Sequence, residues 1–254
     1  MRINKFISHN TNYSRREADE LVKDKKVSIN NKVVENLATE VNDGDKVKIG
    51  QKLIKLKKEF SVIVYNKQKG ELVTKRDDRG RKTIYDNLPR GLSKFISIGR
   101  LDFASEGLLL LTDAPAIAEA LMSSDIEREY YLKVKGEITE PVIAAMQEGF
   151  FAKDATKGAH AKTKQISMEF KPFLAYKVIS QSGGYTRLRV IINEGQNREL
   201  RRFFGYFDLE VMDLKRVSFG RVSLDQLGEG KWRYFTNSEY DDLRDFLKQN
   251  NVRY

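Results

Sequence analysis

Four consecutive leucines, Leu108 to Leu111, constrain this chain more than any other feature. The run is too short for a helix of its own and is bounded by Gly107 and Thr112, so it reads as a strand buried on both faces. Just before it comes a charged loop. Arg100 and Asp102 stand two residues apart in that loop, after the apolar segment Phe95 to Ile98, at the end of a core element. A carboxylate held there, with little role as a cap or turn residue, is a candidate for chemistry. An Arg/Asp surface pair fixing a turn explains the same spacing, and on spacing alone it is the better reading.

Gly99-Arg100-Leu101-Asp102, followed by Ser105, Gly107 and Leu108 to Thr112, resembles the catalytic motif of RNA pseudouridine synthases. It is most similar to the RsuA/RluB/RluE/RluF branch, which modifies ribosomal RNA. The resemblance implies that Asp102 is the catalytic carboxylate. Three further motifs, taken below in chain order, agree with it.

A charge of +10, from 46 Lys and Arg against 36 Asp and Glu, favours polyanionic partners. With no cysteine, disulfides, thiol catalysis and thiolate metal sites are excluded together. His9 and His160 lack neighbours at ligand spacing, and neither a Walker motif nor the dinucleotide-binding glycine pattern is present. The expectation is chemistry with no cofactor and no metal. No apolar stretch approaches the roughly 18 residues of a spanning helix, and Met1-Arg2-Ile3-Asn4 does not open a signal peptide. The sequence therefore points to a cytoplasmic protein without a membrane partner, expected to be a monomer.

Residues 1–58 carry 14 Lys and Arg against 8 Asp and Glu, which places +6 of the +10 here. Ile3, Phe6 and Ile7 have helical spacing. Ser14-Arg15-Arg16-Glu17 is a capping box opening a second helix with Ala18, Leu21 and Val22 on its apolar stripe. Val27 to Ile29 and Val33-Val34 flank the tight turn Asn30-Asn31, and Asp43-Gly44-Asp45 turns the chain before Val47. Helix, capped helix and small strands in this order resemble the S4 RNA-binding domain. Arg2, Lys5, Arg15, Arg16 and Lys26 are the candidate phosphate contacts, although a solvated helix face is the usual fate of such charges. Lys52 to Glu59 reads as a charged connector, with the domain boundary near residue 58.

Ser61 to Tyr65 reads as a strand, and Asn66-Lys67-Gln68-Lys69-Gly70 resembles the family's Asn-Lys-Pro-x-Gly turn with Gln68 in place of proline. Thr74 to Thr83 is an exposed basic loop, equally a solvated loop or a phosphate clamp. Thr83 to Pro89 resembles a short helix of this branch. In Glu127 to Lys135, Arg128, Tyr130, Leu132 and Val134 share one strand face. A core tyrosine is the plain reading; Arg128-Glu129-Tyr130 resembles the family motif whose tyrosine packs on the target base. Gly183-Gly184 signals a hairpin. Glu194 to Arg202 opens a helix with Asn197 as a plausible N-cap, and Arg198, Arg201 and Arg202 at i, i+3 and i+4 on one side. Arg198 and Arg202 of this stripe, a solvated face or a phosphate grip, are candidate RNA contacts; the stretch resembles the family's third motif, which implies that Arg201 pairs with Asp102. Trp232 in Gly-Lys-Trp-Arg reads as a packing aromatic, and the chain ends in a helix over Glu239 to Lys248.

Together these features give an α+β protein: an S4 (α-L) domain over 1–58 and a catalytic domain over 59–254, with a mixed, mainly antiparallel sheet flanked by helices. The implied activity is conversion of uridine to pseudouridine in ribosomal RNA. The loop from Arg76 to Thr83 with Asp86 to Pro89 looks closest to the RluB type, which implies 23S rRNA of the large subunit or its assembly intermediate as partner. By the same resemblance Asp102 does the chemistry, Arg100 fills the space of the flipped nucleotide, Tyr130 stacks on the base and Arg201 orients Asp102. The competing reading is a non-catalytic S4-containing RNA-binding or ribosome-assembly protein. A decayed core of that kind should have lost Asp102, Tyr130 or Arg201, and all three are present.

Overall fold

The computed structural model describes residues 1–11, 13–55 and 59–252. The N-terminal module contains α1 (Ile3–Asn10), α2 (Arg15–Lys23), β1 (Val27–Ile29), β2 (Lys32–Val33), β3 (Val47–Ile49) and β4 (Lys52–Leu53). Its capping box forms as the sequence predicts: the Ser14 hydroxyl accepts from the Glu17 amide at 3.2 Å and Glu17 Oε2 accepts from the Ser14 amide at 2.7 Å. Asn30 and Asn31 both take positive φ, 50° and 66°, the conformation a two-residue hairpin turn requires. The connector expected from residue 52 starts later, because Lys52 and Leu53 pair with β3 as the fourth strand of this small sheet. The boundary placed near residue 58 lies outside the described residues. Ile3, Ile7, Ala18, Val22, Val27 and Val47 form a core of their own.

The larger part follows as β5 (Val62–Lys67), β6 (Ile96–Ile98), β7 (Glu106–Thr112), α3 (Pro115–Met122), β8 (Arg128–Lys135), α4 (Glu140–Glu148), β9 (Phe150–Ala152) and β10 (Met168–Phe170). It continues with β11 (Ala175–Ser182), β12 (Tyr185–Ile192), α5 (Glu199–Tyr206), β13 (Glu210–Phe219), β14 (Val222–Ser223), β15 (Trp232–Tyr234) and α6 (Asn237–Gln249). The main sheet runs β11-β12-β8-β13-β7-β5-β15, with β14 on β13 and β6 on β7. Its pairings are antiparallel except β13 with β7, so the sheet is mixed and mainly antiparallel. The expected short helix after Thr83 is a single tight turn, Ile84–Asp86, capped by Thr83 and Asp86.

The leucine run explains itself in this frame. Leu109 and Leu111 join the core layer carrying α4 and α5, while Leu108 and Leu110 join the opposite layer with α3 and α6. Residues of β5 alternate in the same way, Ile63 and Tyr65 against Val62 and Val64. A strand buried on both faces and paired with β5 from Gly107 to Thr112 is held rigidly, so the loop ending in it starts from a fixed point. Gly107 adds a second constraint. Its φ is +103° and a Cβ there would lie 2.1 Å from the Arg216 carbonyl oxygen, so the parallel pairing of β7 with β13 requires glycine.

The module rests on α3: Lys5 Nζ lies 2.7 Å and Arg15 Nη2 3.7 Å from the Glu119 carboxylate. His9 is buried at this contact. Burial, helped by the Lys5 and Arg15 charges, pulls its pKa down to about 4.

Candidate active site

The loop before β7 is pinned from below. Lys67, the last residue of β5, is fully buried, and its ammonium donates to the carbonyls of Gln68 (2.9 Å), Asp102 (3.0 Å) and Ser105 (2.7 Å). The Asp102 carbonyl also accepts from the Ser105 amide at 3.0 Å, closing a turn over the lysine. Burial pushes the Lys67 pKa down to about 8, against the pull of Glu71, Asp102 and Glu106. The backbone of Asp102 is thus fixed by a buried cation, which leaves its carboxylate to point outward. In the sequence Lys67 belongs to a turn, and nothing in its spacing marks it for a role.

Two guanidiniums meet that carboxylate. Arg198 Nη1 donates to Asp102 Oδ2 at 2.9 Å, and Arg201 Nε lies 3.4 Å from the same oxygen. The expected contact of Arg201 with Asp102 is therefore present as an ion pair, with a shorter one from Arg198 beside it. Arg201 is held by Val211 O at 2.8 Å and Ser105 Oγ at 3.2 Å. Burial, reinforced by Arg198, lowers the Arg201 pKa from the usual guanidinium range.

The basic side of α5 differs from its sequence reading. The helix begins at Glu199, and Arg198 precedes it in the left-handed region with φ 54°, in place of an Asn197 cap. Leaving the helical path turns Arg198 back onto Asp102, where its Nε is also held by Gly158 O at 2.7 Å. Arg202, expected to face RNA, has 0 % exposure. Its guanidinium donates to the carbonyls of Ala155 (2.7 Å) and Gln165 (2.8 Å), so it anchors the segment before β10 and is removed from the RNA-contacting set.

Asp102 opens onto a cleft of about 1010 Å³. Tyr130, on β8, is only 7 % exposed and lines this cleft as well as joining the core. Arg100 lines it too and is exposed. Arg76 and Arg81, of the basic loop, also line it, with Arg81 paired to Asp77 at 2.6 Å. Arg128 and Arg216, which sequence reading did not single out as charges, line the floor. Among the module's candidates, Arg2 and Arg16 are exposed, Lys26 pairs with Asp24 at 2.9 Å, and Lys5 and Arg15 face Glu119.

Glu199, the first residue of α5, is a buried titratable group next to Arg198. Its carboxylate accepts from the Gln196 amide at 2.9 Å, yet burial raises its pKa to about 7. The hydrogen-bond partner lowers the value, but desolvation outweighs it.

Residues 61–206 match the RNA pseudouridylate synthase family and residues 1–47 match the S4 domain. An uncharacterized RNA pseudouridine synthase of Helicobacter pylori (strain ATCC 700392 / 26695) is 50% identical over 249 residues, covering 97% of this chain and 95% of that protein. The ribosomal large subunit pseudouridine synthase B of Bacillus subtilis (strain 168) is 32% identical, covering 96% of this chain and 95% of its own. A crystal structure of a pseudouridylate synthase superimposes with a TM-score of 0.64 at 26% identity, over 96% of this chain and 99% of that one.

Proposed function

The chain belongs to the RNA pseudouridylate synthase family, and we propose that it isomerises a specific uridine of large-subunit ribosomal RNA with Asp102 as its catalytic carboxylate. The observation that carries the assignment of Asp102 is its geometry: a carboxylate on a loop pinned by Lys67, clamped by Arg198 and Arg201, at the mouth of a cleft lined by Tyr130. The large-subunit assignment is supported by the relatives named synthase B and by the S4 match.

The reaction breaks the N1–C1′ bond of uridine, turns the uracil without releasing it and joins C5 to C1′. Cleavage gives the sugar cationic character, which a fixed carboxylate can meet either as nucleophile at C1′ or as base toward a sugar proton. Folded RNA hides the nucleotide, so it must leave the stack. Tyr130 then offers its ring to the base, and Arg100, exposed at the rim, is placed to occupy the gap. The two guanidiniums keep Asp102 in one rotamer, so little reorganisation precedes bond breaking. The S4 domain anchors RNA by shape and phosphate contact, and the enzyme acts as a cytoplasmic monomer.

The test is to map pseudouridines chemically in 23S rRNA from cells with and without the gene. Loss of a single large-subunit pseudouridine, restored by the wild-type gene, is the expected result. An unchanged large-subunit pattern would count against this function.

A further inference from the structure

Two arginines lining the cleft have no carboxylate in ion-pair contact among the described residues. Arg128 is 5 % and Arg216 4 % exposed, and their guanidiniums lie 4.9 and 5.7 Å from the centre of one ring, Phe219. Arg128 Nη1 donates to Asn193 O at 3.1 Å, and Arg216 Nε donates to Leu108 O at 2.7 Å. Among the described residues Arg216 Nη2 is buried with no hydrogen-bond partner. Among the described residues neither guanidinium has a carboxylate in ion-pair contact, and Asp125 and Glu199 act on Arg128 only from longer range. Burying two like charges side by side is costly unless an anion joins them. Carbonyl acceptors orient the pair but do not neutralise it.

The pair also stands in a definite relation to the site. Arg216 lies opposite Tyr130 in the β13–β8 register, and Arg128 lies two positions along β8 on the same face as Tyr130. Cross-strand neighbours have Cβ atoms about 5 Å apart, and alternate residues of a strand are about 7 Å apart. Both guanidiniums are therefore within one nucleotide's reach of a base packed on the tyrosine.

We propose that Arg128 and Arg216 form a phosphate subsite that grips the RNA phosphodiester flanking the flipped nucleotide. This rests on the reading of the chain as a pseudouridine synthase acting on RNA. The subsite binds charge and carries no sequence information, so it positions whichever nucleotide is presented. Its role is to hold the sugar against Asp102 while the base is free to turn.

Two measurements on the full chain test it, with Arg216→Gln and Arg128→Gln as variants. Arg221→Gln, at an exposed arginine outside the cleft, serves as control. The first reads melting temperature in inorganic phosphate against chloride at matched ionic strength. Wild type and Arg221→Gln should gain about 3 °C, as for a site at tenfold excess over its dissociation constant, and each floor variant should lose that gain relative to its own phosphate-free value. Should Arg216→Gln not fold, Arg128→Gln gives the same reading. The second reads KM for tritium-labelled ribosomal RNA against salt. The slope of log KM on log salt should become shallower by about 0.7 for each arginine removed, the value for one contact to single-stranded RNA. An equal phosphate response in wild type and both floor variants overturns the subsite. A lost phosphate response with an unchanged salt slope means that only free phosphate binds, and overturns the RNA assignment. The first measurement needs no turnover, so a wild type inactive on RNA would count against the proposed function while the melting data still decided the subsite.

Discussion

Replacing Lys67 by methionine removes the cation under the Asp102 loop while keeping most of its volume. The carbonyls of Gln68 and Ser105 then lose their donor, while that of Asp102 keeps the Ser105 amide. Each buried group left unpaired costs about 1–3 kcal/mol. Against this, the pKa fall from 10.5 to about 8 shows that burial penalises the ammonium. That penalty, about 3 kcal/mol at 1.36 kcal/mol per unit, is relieved in the variant. The net destabilisation is at most about 3 kcal/mol, or a fall in Tm of up to roughly 6 °C for a chain of this size. Activity should suffer more than stability, because a displacement of about 1 Å at the reacting carboxylate costs on the order of 100-fold. The assay is steady-state tritium release, with kcat falling about 100-fold and KM within about threefold of wild type. Tyr65→Phe, which removes the bond from Tyr65 to Glu71 in the same core layer, provides a destabilised reference with an intact loop. A Lys67→Met kcat no lower than that of Tyr65→Phe would refute the idea that this lysine positions Asp102.

Arg198→Ala and Arg201→Ala should each lower kcat by about 10- to 100-fold, and the double variant by less than their product, because both guanidiniums act on one oxygen; kinetic double-mutant analysis reads the coupling. Glu199 titrates near 7 when folded and near 4.5 when unfolded, so the native state holds a proton that the unfolded state has lost between those values, and stability falls as pH rises through that window. Glu199→Gln should therefore leave stability unchanged at pH 4 and raise it at pH 8 by about 1–3 kcal/mol in urea denaturation. Gly107→Ala sets a Cβ against the Arg216 carbonyl and should destabilise by about 3 kcal/mol or more, seen as a fall in the urea midpoint.

Much of this molecule is visible in its residues, because many of its signals are local. The leucine run, the Ser14 box, the Asn-Asn and Gly-Gly turns and the alternation of β8 each depend on neighbours a few positions away, and each forms as its pattern predicts. The approach of α5 to the Asp102 loop was legible only through resemblance, since a contact across about a hundred positions leaves no periodic trace. The arginines near the start of α5 depart from their spacing for a definite reason. Helical spacing puts Arg198, Arg201 and Arg202 on one side only if all three are helical, and one residue in the left-handed region breaks that relation. Arg198 consequently turns onto Asp102, while Arg202, one helical step past Arg201, faces into the protein. Lys67 was invisible because a lysine ending a strand is ordinarily solvated, and its burial is set by three carbonyls from distant or turning backbone. Arg216 sits in a strand where nothing marks which face meets the cleft until β8 is laid beside it.

The central claim is that Asp102 performs uridine isomerisation, and C5 of the target uracil supplies a direct reporter. Pseudouridine formation makes C5 the glycosidic atom and expels its hydrogen. Ribosomal RNA tritiated at C5, free and in large-subunit particles, is incubated with wild type and with Asp102→Asn, which keeps the shape of the side chain and its capacity to accept from Arg198. The account predicts tritium release by the wild type and none above background by the variant, at equal RNA binding. Release by Asp102→Asn at the wild-type rate, or none by either protein on either substrate, would contradict it.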